Sequence, residues 1–164
     1  MKRFIVKNIM FVFTISTIFF AQAVVAQSLS ELERDCNSKI ALACGKLAGK
    51  YFLGDGVLKD KFKAAEIYQK SCDGGTALSC SNLAVLYTFG EGVRQDIFKA
   101  AELYEKGCEG GNALSCSSLG VMYRNGEGVR LDKSKALSLF GKSCDLKEQT
   151  GCAFYAELKN SGVK

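Results

Sequence analysis

From Cys72 to Cys116 the chain reads CDGGTALSCSNLAVLYTFGEGVRQDIFKAAELYEKGCEGGNALSC. A cysteine, seven residues and a second cysteine open this stretch, and the same arrangement closes it 36 residues later. Between them, Cys80, Leu83, Ala84 and Tyr87 follow the i, i+3, i+4, i+7 pattern of one helical face. Gly90-Glu91-Gly92 ends that helix, because glycine takes the left-handed cap conformation without steric cost. Asp96 is positioned as the N-cap of a second helix, whose buried side is Ala100, Ala101, Leu103 and Tyr104. Gly110-Gly111 closes the unit. Small alanine pairs (Ala64-Ala65, Ala100-Ala101) let helix axes approach closely. No stretch shows the alternation of a strand.

The same unit recurs outward in both directions. Cysteines fall at 36, 44, 72, 80, 108, 116, 144 and 152, in four pairs 36 residues apart. Residues 40–75 and 76–111 are identical at 20 of 36 positions, and 76–111 and 112–147 at 19. Half-units, 28–39 and 148–164, flank these three full units. A period of this length implies an all-α stacked array of helix-turn-helix repeats. Two cysteines eight residues apart on one straight helix would be about 12 Å apart, whereas a disulfide needs α-carbons within about 7 Å. The chain must therefore reverse between them, at Gly74-Gly75 and Gly110-Gly111, where a positive φ is expected at Gly110. The expected bridges are Cys36–Cys44, Cys72–Cys80, Cys108–Cys116 and Cys144–Cys152, resting on the repeat because a cysteine count alone leaves connectivity open. The outer two lack the glycine pair.

The redox compartment is read from the amino terminus. Lys2, Arg3 and Lys7 precede a mostly apolar run, Ile9 to Phe20, and Val24 and Ala26 supply the small residues of a cleavage site before Gln27. Residues 1–26 are thus expected to be a signal peptide, with 27–164 periplasmic or secreted and no membrane span after cleavage. Oxidising conditions favour disulfides. Zinc is the rival for the thiols, but tight Cys-x-x-Cys spacing is absent, so no metal or other cofactor is expected. The chain has no histidine, which removes Ser/His/Asp and Cys/His nucleophile systems. Of 22 basic and 17 acidic residues, three bases lie in 1–26, leaving 19 against 17. That balance gives no support to a nucleic-acid partner.

Ala77-x5-Leu83-x3-Tyr87-x2-Gly90-x-Gly92-Val93-x2-Asp96-x2-Lys99-Ala100 resembles the Sel1-like repeat, a relative of the tetratricopeptide repeat, and recurs from Ala41 to Ala64 and from Ala113 to Ala136. With paired cysteines and a signal segment, the chain is similar to the Helicobacter cysteine-rich protein family. That resemblance implies a β-lactam-binding protein with weak β-lactamase activity. A serine β-lactamase uses Ser-x-x-Lys with Ser-Asp-Asn and Lys-Thr-Gly. Only Ser161-Gly162-Val163-Lys164 fits the first, and the others are absent.

The Gly-x-Gly turns lack the lysine of a phosphate loop, and Asp55, Glu91 and Glu127 within them are expected to be solvated. Glu66/Lys70 and Glu102/Lys106 are expected i, i+4 pairs. The positions that vary on a fixed frame are the candidate groove: Lys46, Asn82, Ser118 and Phe154; Phe52, Thr88 and Arg124; Phe89 and Asn125. Such an array offers its first helices to an extended ligand. The expected function is a monomeric, secreted or periplasmic scaffold binding a peptide, a peptidoglycan fragment or a partner protein, with β-lactam hydrolysis as the alternative.

Overall fold

A computed structural model describes residues 27–164. The segment assigned to the signal peptide lies outside the described residues. Within them are eight helices and no strands: α1 (Leu29–Asn37), α2 (Ala41–Leu53), α3 (Lys61–Asp73), α4 (Ala77–Phe89), α5 (Ile97–Glu109), α6 (Ala113–Asn125), α7 (Lys133–Asp145) and α8 (Gln149–Asn160). None of the described helices is long and apolar enough to cross a membrane. The even-numbered helices are the first helices of successive units.

The periodic residues set the helix ends. Asp60, Asp96 and Asp132 cap α3, α5 and α7, their carboxylates accepting the amides of Lys63, Lys99 and Lys135 at 2.8–3.0 Å. Gly54, Gly90 and Gly126 end α2, α4 and α6 in the left-handed conformation. The same turns are tied back by the amides of Asp60, Asp96 and Asp132, which donate to the carbonyls of Tyr51, Tyr87 and Tyr123. The second turn glycine has a different task. A Cβ on Gly92 would collide with the carbonyl of Lys61, and one on Gly128 would lie 2.6 Å from the carbonyl oxygen of Ile97. The turns of the second and third full units therefore rest on the start of the second helix of the preceding unit.

Disulfides join the last turn of each second helix to the first turn of the next first helix. They link Cys36–Cys44, Cys72–Cys80, Cys108–Cys116 and Cys144–Cys152, with Cα–Cα separations of 4.4–4.7 Å. The reversal differs from the expected one in detail. Gly110 has φ −72°, and positive φ belongs to Gly111 at +85°. The restraint on Gly110 is instead its neighbour, since a Cβ there would lie 2.7 Å from the Cβ of Ala77. At the outer junctions Lys39 and Lys147 take the left-handed place of Gly75 and Gly111, with φ of 64° and 69°.

Ala64, Ala65, Ala100 and Ala101 are buried at helix contacts, in one apolar core that runs from Leu32 to Met122. A second cluster gathers Ala136, Phe140 and Leu158 at the carboxyl end. Lys63 donates to the Tyr51 hydroxyl (2.7 Å), which donates to Glu33 (3.3 Å), so three helices are linked. That hydrogen bond to Tyr51 holds the Lys63 ammonium above the usual lysine range. At the next unit residue 69 is glutamine, and Lys99 turns to Glu102 at 3.1 Å. The expected Glu102/Lys106 pair is thus replaced by Lys99–Glu102, whereas Glu66 and Lys70 do pair at 2.8 Å.

Candidate functional site

The first helices bring part of the variable set together. Between α2 and α4 lies a cleft of about 160 Å³. Its α2 wall is Gly49, Phe52 and Leu53, and its α4 wall is Asn82, Val85 and Leu86. Tyr68 of α3 forms the floor. Burial pushes the Tyr68 phenol up, and the Asn82 amide beside it offsets this in part, so the hydroxyl is a neutral donor at physiological pH. The cleft is mostly apolar, with the Tyr68 hydroxyl and the Asn82 amide as its polar groups. Lys59 and Lys61 place their ammonium groups 6.0 and 5.7 Å from the Phe52 ring. Leu53 and Phe89, at one register position of α2 and α4, are each 70% exposed.

The remaining candidates are not equally available. The Thr88 hydroxyl donates to the Ala84 carbonyl at 2.9 Å, inside its own helix. Ser118 is half-buried on α6. Asn125 is exposed and donates to Glu127. Lys46 is exposed and reaches Gln27. Arg124 and Phe154 meet each other. The guanidinium lies 4.7 Å from the Phe154 ring centroid and 3.9 Å from a Glu157 oxygen, and Phe154 packs on Phe140 at 5.1 Å. These two side chains close the carboxyl-terminal end of the surface. Of the turn acids, Glu91 pairs with Lys61 of the preceding unit at 2.8 Å, and Asp55 with Lys50 at 2.9 Å.

Gly49, Tyr68 and Val85 were missed by sequence reasoning. The available signal was the change from Gly49 to Val85 and Val121 at one repeat position. The Ser161 hydroxyl donates to the Leu158 carbonyl at 2.6 Å, and the Lys164 carbonyl accepts from Ser134. Among the described residues no group of three or more Cys, Asp or Glu is placed to hold a metal ion.

This architecture has counterparts among solved structures. A Sel1 repeat protein from Oxalobacter formigenes superposes with a TM-score of 0.74 at 23% identity, over 79% of this chain and 97% of that one. The protective antigen c5321 of uropathogenic Escherichia coli, which displays an SLR fold, gives 0.73 at 29% identity, over 77% of this chain and 27% of that one. Helicobacter pylori cysteine rich protein B gives 0.61 at 25% identity, over 78% and 97%. No curated protein sequence matches the chain. The Sel1 repeat profile matches residues 41–76, 77–112 and 113–148, each spanning one first helix, its turn and its second helix. The disulfide-linked helical array is therefore a scaffold of known type, and the chain belongs to the Sel1 repeat family.

Proposed function

We propose that the protein is an exported scaffold that binds an extended peptide segment of a partner protein along its first helices. The observation that carries this reading is the open, mostly apolar α2–α4 cleft, continued by the exposed Leu53 and Phe89. Apolar clefts with a few convergent polar groups are the usual form of a ligand site. The bridges favour a location outside the cytoplasm. By the loop-entropy relation each nine-residue loop is worth about 2.6 kcal/mol, so the frame is ordered before a ligand arrives.

The test is to pan a random peptide library on the purified, oxidised protein and map the recovered peptides by amide chemical shifts. Shifts along α2, α4 and α6 are expected. Recovery of no peptide, or shifts confined to the second helices, would refute the reading. Export is checked by amino-terminal sequencing, expected to begin at Gln27, and the bridges by non-reducing peptide mapping. Because the Ser161 hydroxyl is held by a backbone carbonyl, Ser161→Ala is expected to leave β-lactam turnover unchanged. A penicillin adduct on Ser161, seen by mass spectrometry, would contradict this and favour a serine hydrolase.

A further inference from the structure

Residues 49, 85 and 121 occupy one register position of the three full first helices, as glycine, valine and valine. Glycine in a helix interior is costly, since the unfolded chain has more freedom to lose. At Gly120 that cost has a packing cause, because a Cβ would lie 2.6 Å from the Phe140 ring. At Gly49 the packing supplies none. A Cβ there would meet only the Tyr68 hydroxyl, at an ordinary contact of 3.6 Å. What the missing side chain does is leave the α2–α4 cleft open.

The third junction shows what that space accepts. There Val121, Phe140 and Phe154 stand in the register of Gly49, Tyr68 and Asn82. The chain fills the position with its own Phe154 ring, packed at a tilt against Phe140 and covered by Arg124. The size of the open cleft agrees. An apolar cavity of about 150 Å³ holds a benzene ring, whereas sites for whole drug-sized molecules run to about 300–1,000 Å³. At about 160 Å³ the cleft suits one aromatic side chain.

Charge adds the second feature. Lys50 pairs with Asp55, and Lys61 with Glu91. Of the lysines beside Phe52, Lys59 pairs with no carboxylate among the described residues. Lys46 shares the register of Asn82 and is turned to the amino-terminal side of α2, where its ammonium donates to Gln27. Lys59 lies beside Phe52 on the cleft wall. We infer that the α2–α4 cleft receives one aromatic side chain from an acidic, extended segment of a partner protein, with Lys59 facing a flanking carboxylate. This rests on the peptide-binding reading above and adds the class of peptide and its anchor.

The probe is a five-residue peptide, acetylated and amidated at its ends, with phenylalanine at the centre and two acidic residues on each side. It is titrated into the oxidised, isotope-labelled full protein at low salt. Shifts at the Gly49 and Leu86 amides and the Asn82 side chain are expected. An alanine-centred peptide should bind at least about tenfold more weakly. Asn82→Phe, which sets on α4 the ring that Phe154 sets on α8, should weaken binding to a similar degree. Its melting temperature should not fall, which separates a closed cleft from a damaged fold. Lys59→Gln should reduce the salt dependence. No shift at the cleft at about 1 mM peptide, equal binding of the alanine-centred peptide, or undiminished binding to Asn82→Phe would each overturn the inference. If panning recovers peptides whose shifts lie elsewhere on the first helices, the scaffold reading stands and the anchor falls.

Discussion

Ser115→Ala is expected to stabilise the protein, although it removes a polar group from a helix junction. Three junctions carry comparable small residues. At the first, the Ser71 hydroxyl donates to the Ala41 carbonyl at 2.6 Å and lies 2.7 Å from the Ser79 hydroxyl. At the last, the Ser143 hydroxyl donates to the Ala113 carbonyl at 2.9 Å. At the middle one, glycine 107 stands in the serine position, and the fully buried Ser115 hydroxyl has no hydrogen-bond partner. An unsatisfied buried hydroxyl costs about 1–3 kcal/mol. Removing it forfeits some packing, so a net gain of about 1 kcal/mol is expected. Ser79→Ala instead breaks a made bond and should lose about 1 kcal/mol. Alanine's higher helix propensity, worth about 0.5 kcal/mol, enters both variants and cancels in their difference. The two should therefore be separated by about 2 kcal/mol, with opposite signs relative to wild type once propensity is subtracted. Urea denaturation of the oxidised proteins, followed by far-ultraviolet circular dichroism, measures this directly. Ser115→Ala falling as far below wild type as Ser79→Ala would refute the reasoning.

Gly110→Val should cost about 1–3 kcal/mol through its collision with Ala77. Gln95→Ala, which loses only an exposed bond to the Thr88 carbonyl, should cost less, and equal midpoints would contradict this. Gly56→Ala and Gly92→Ala both force alanine into the left-handed region, but only residue 92 faces the Lys61 carbonyl. Gly92→Ala should be the less stable by about 1–3 kcal/mol, and equal losses would show that the turn does not rest on its neighbour. Glu148 caps α8, accepting amides of Thr150 and Gly151. Burial raises its pKa, but these hydrogen bonds outweigh it and hold the carboxyl below the usual 4.5. A depressed folded pKa gives stability that is present at neutral pH and lost as pH falls below that value. Wild type should thus lose more stability than Glu148→Gln between neutral pH and about pH 3, and parallel pH profiles would sink the claim.

The frame was legible in the sequence because its determinants are local and repeat. Asp96 caps the helix that it begins, Gly90 ends the one that it follows, and the cysteines bracket a reversal of three residues. The candidate site was legible only as a set of varying positions, since their meaning depends on what faces them. Gly49 and Gly120 read alike, as glycines inside first helices. One faces open space beside Tyr68, and the other is pressed against Phe140. Asn82 and Phe154 share a register, yet the first lines a cleft and the second fills one. The difference at the third junction comes from four substitutions acting together: Phe154 stands in the place of Asn82, valine 121 takes the glycine's place, Phe140 replaces the tyrosine, and Arg124 reaches Glu157 across the Phe154 ring. No single position announces such a closure. A repeat protein can therefore keep its helices, caps and bridges unchanged while a few side chains decide which junction stays open. Here the first does, and recognition is expected where the array has left its own core unfilled.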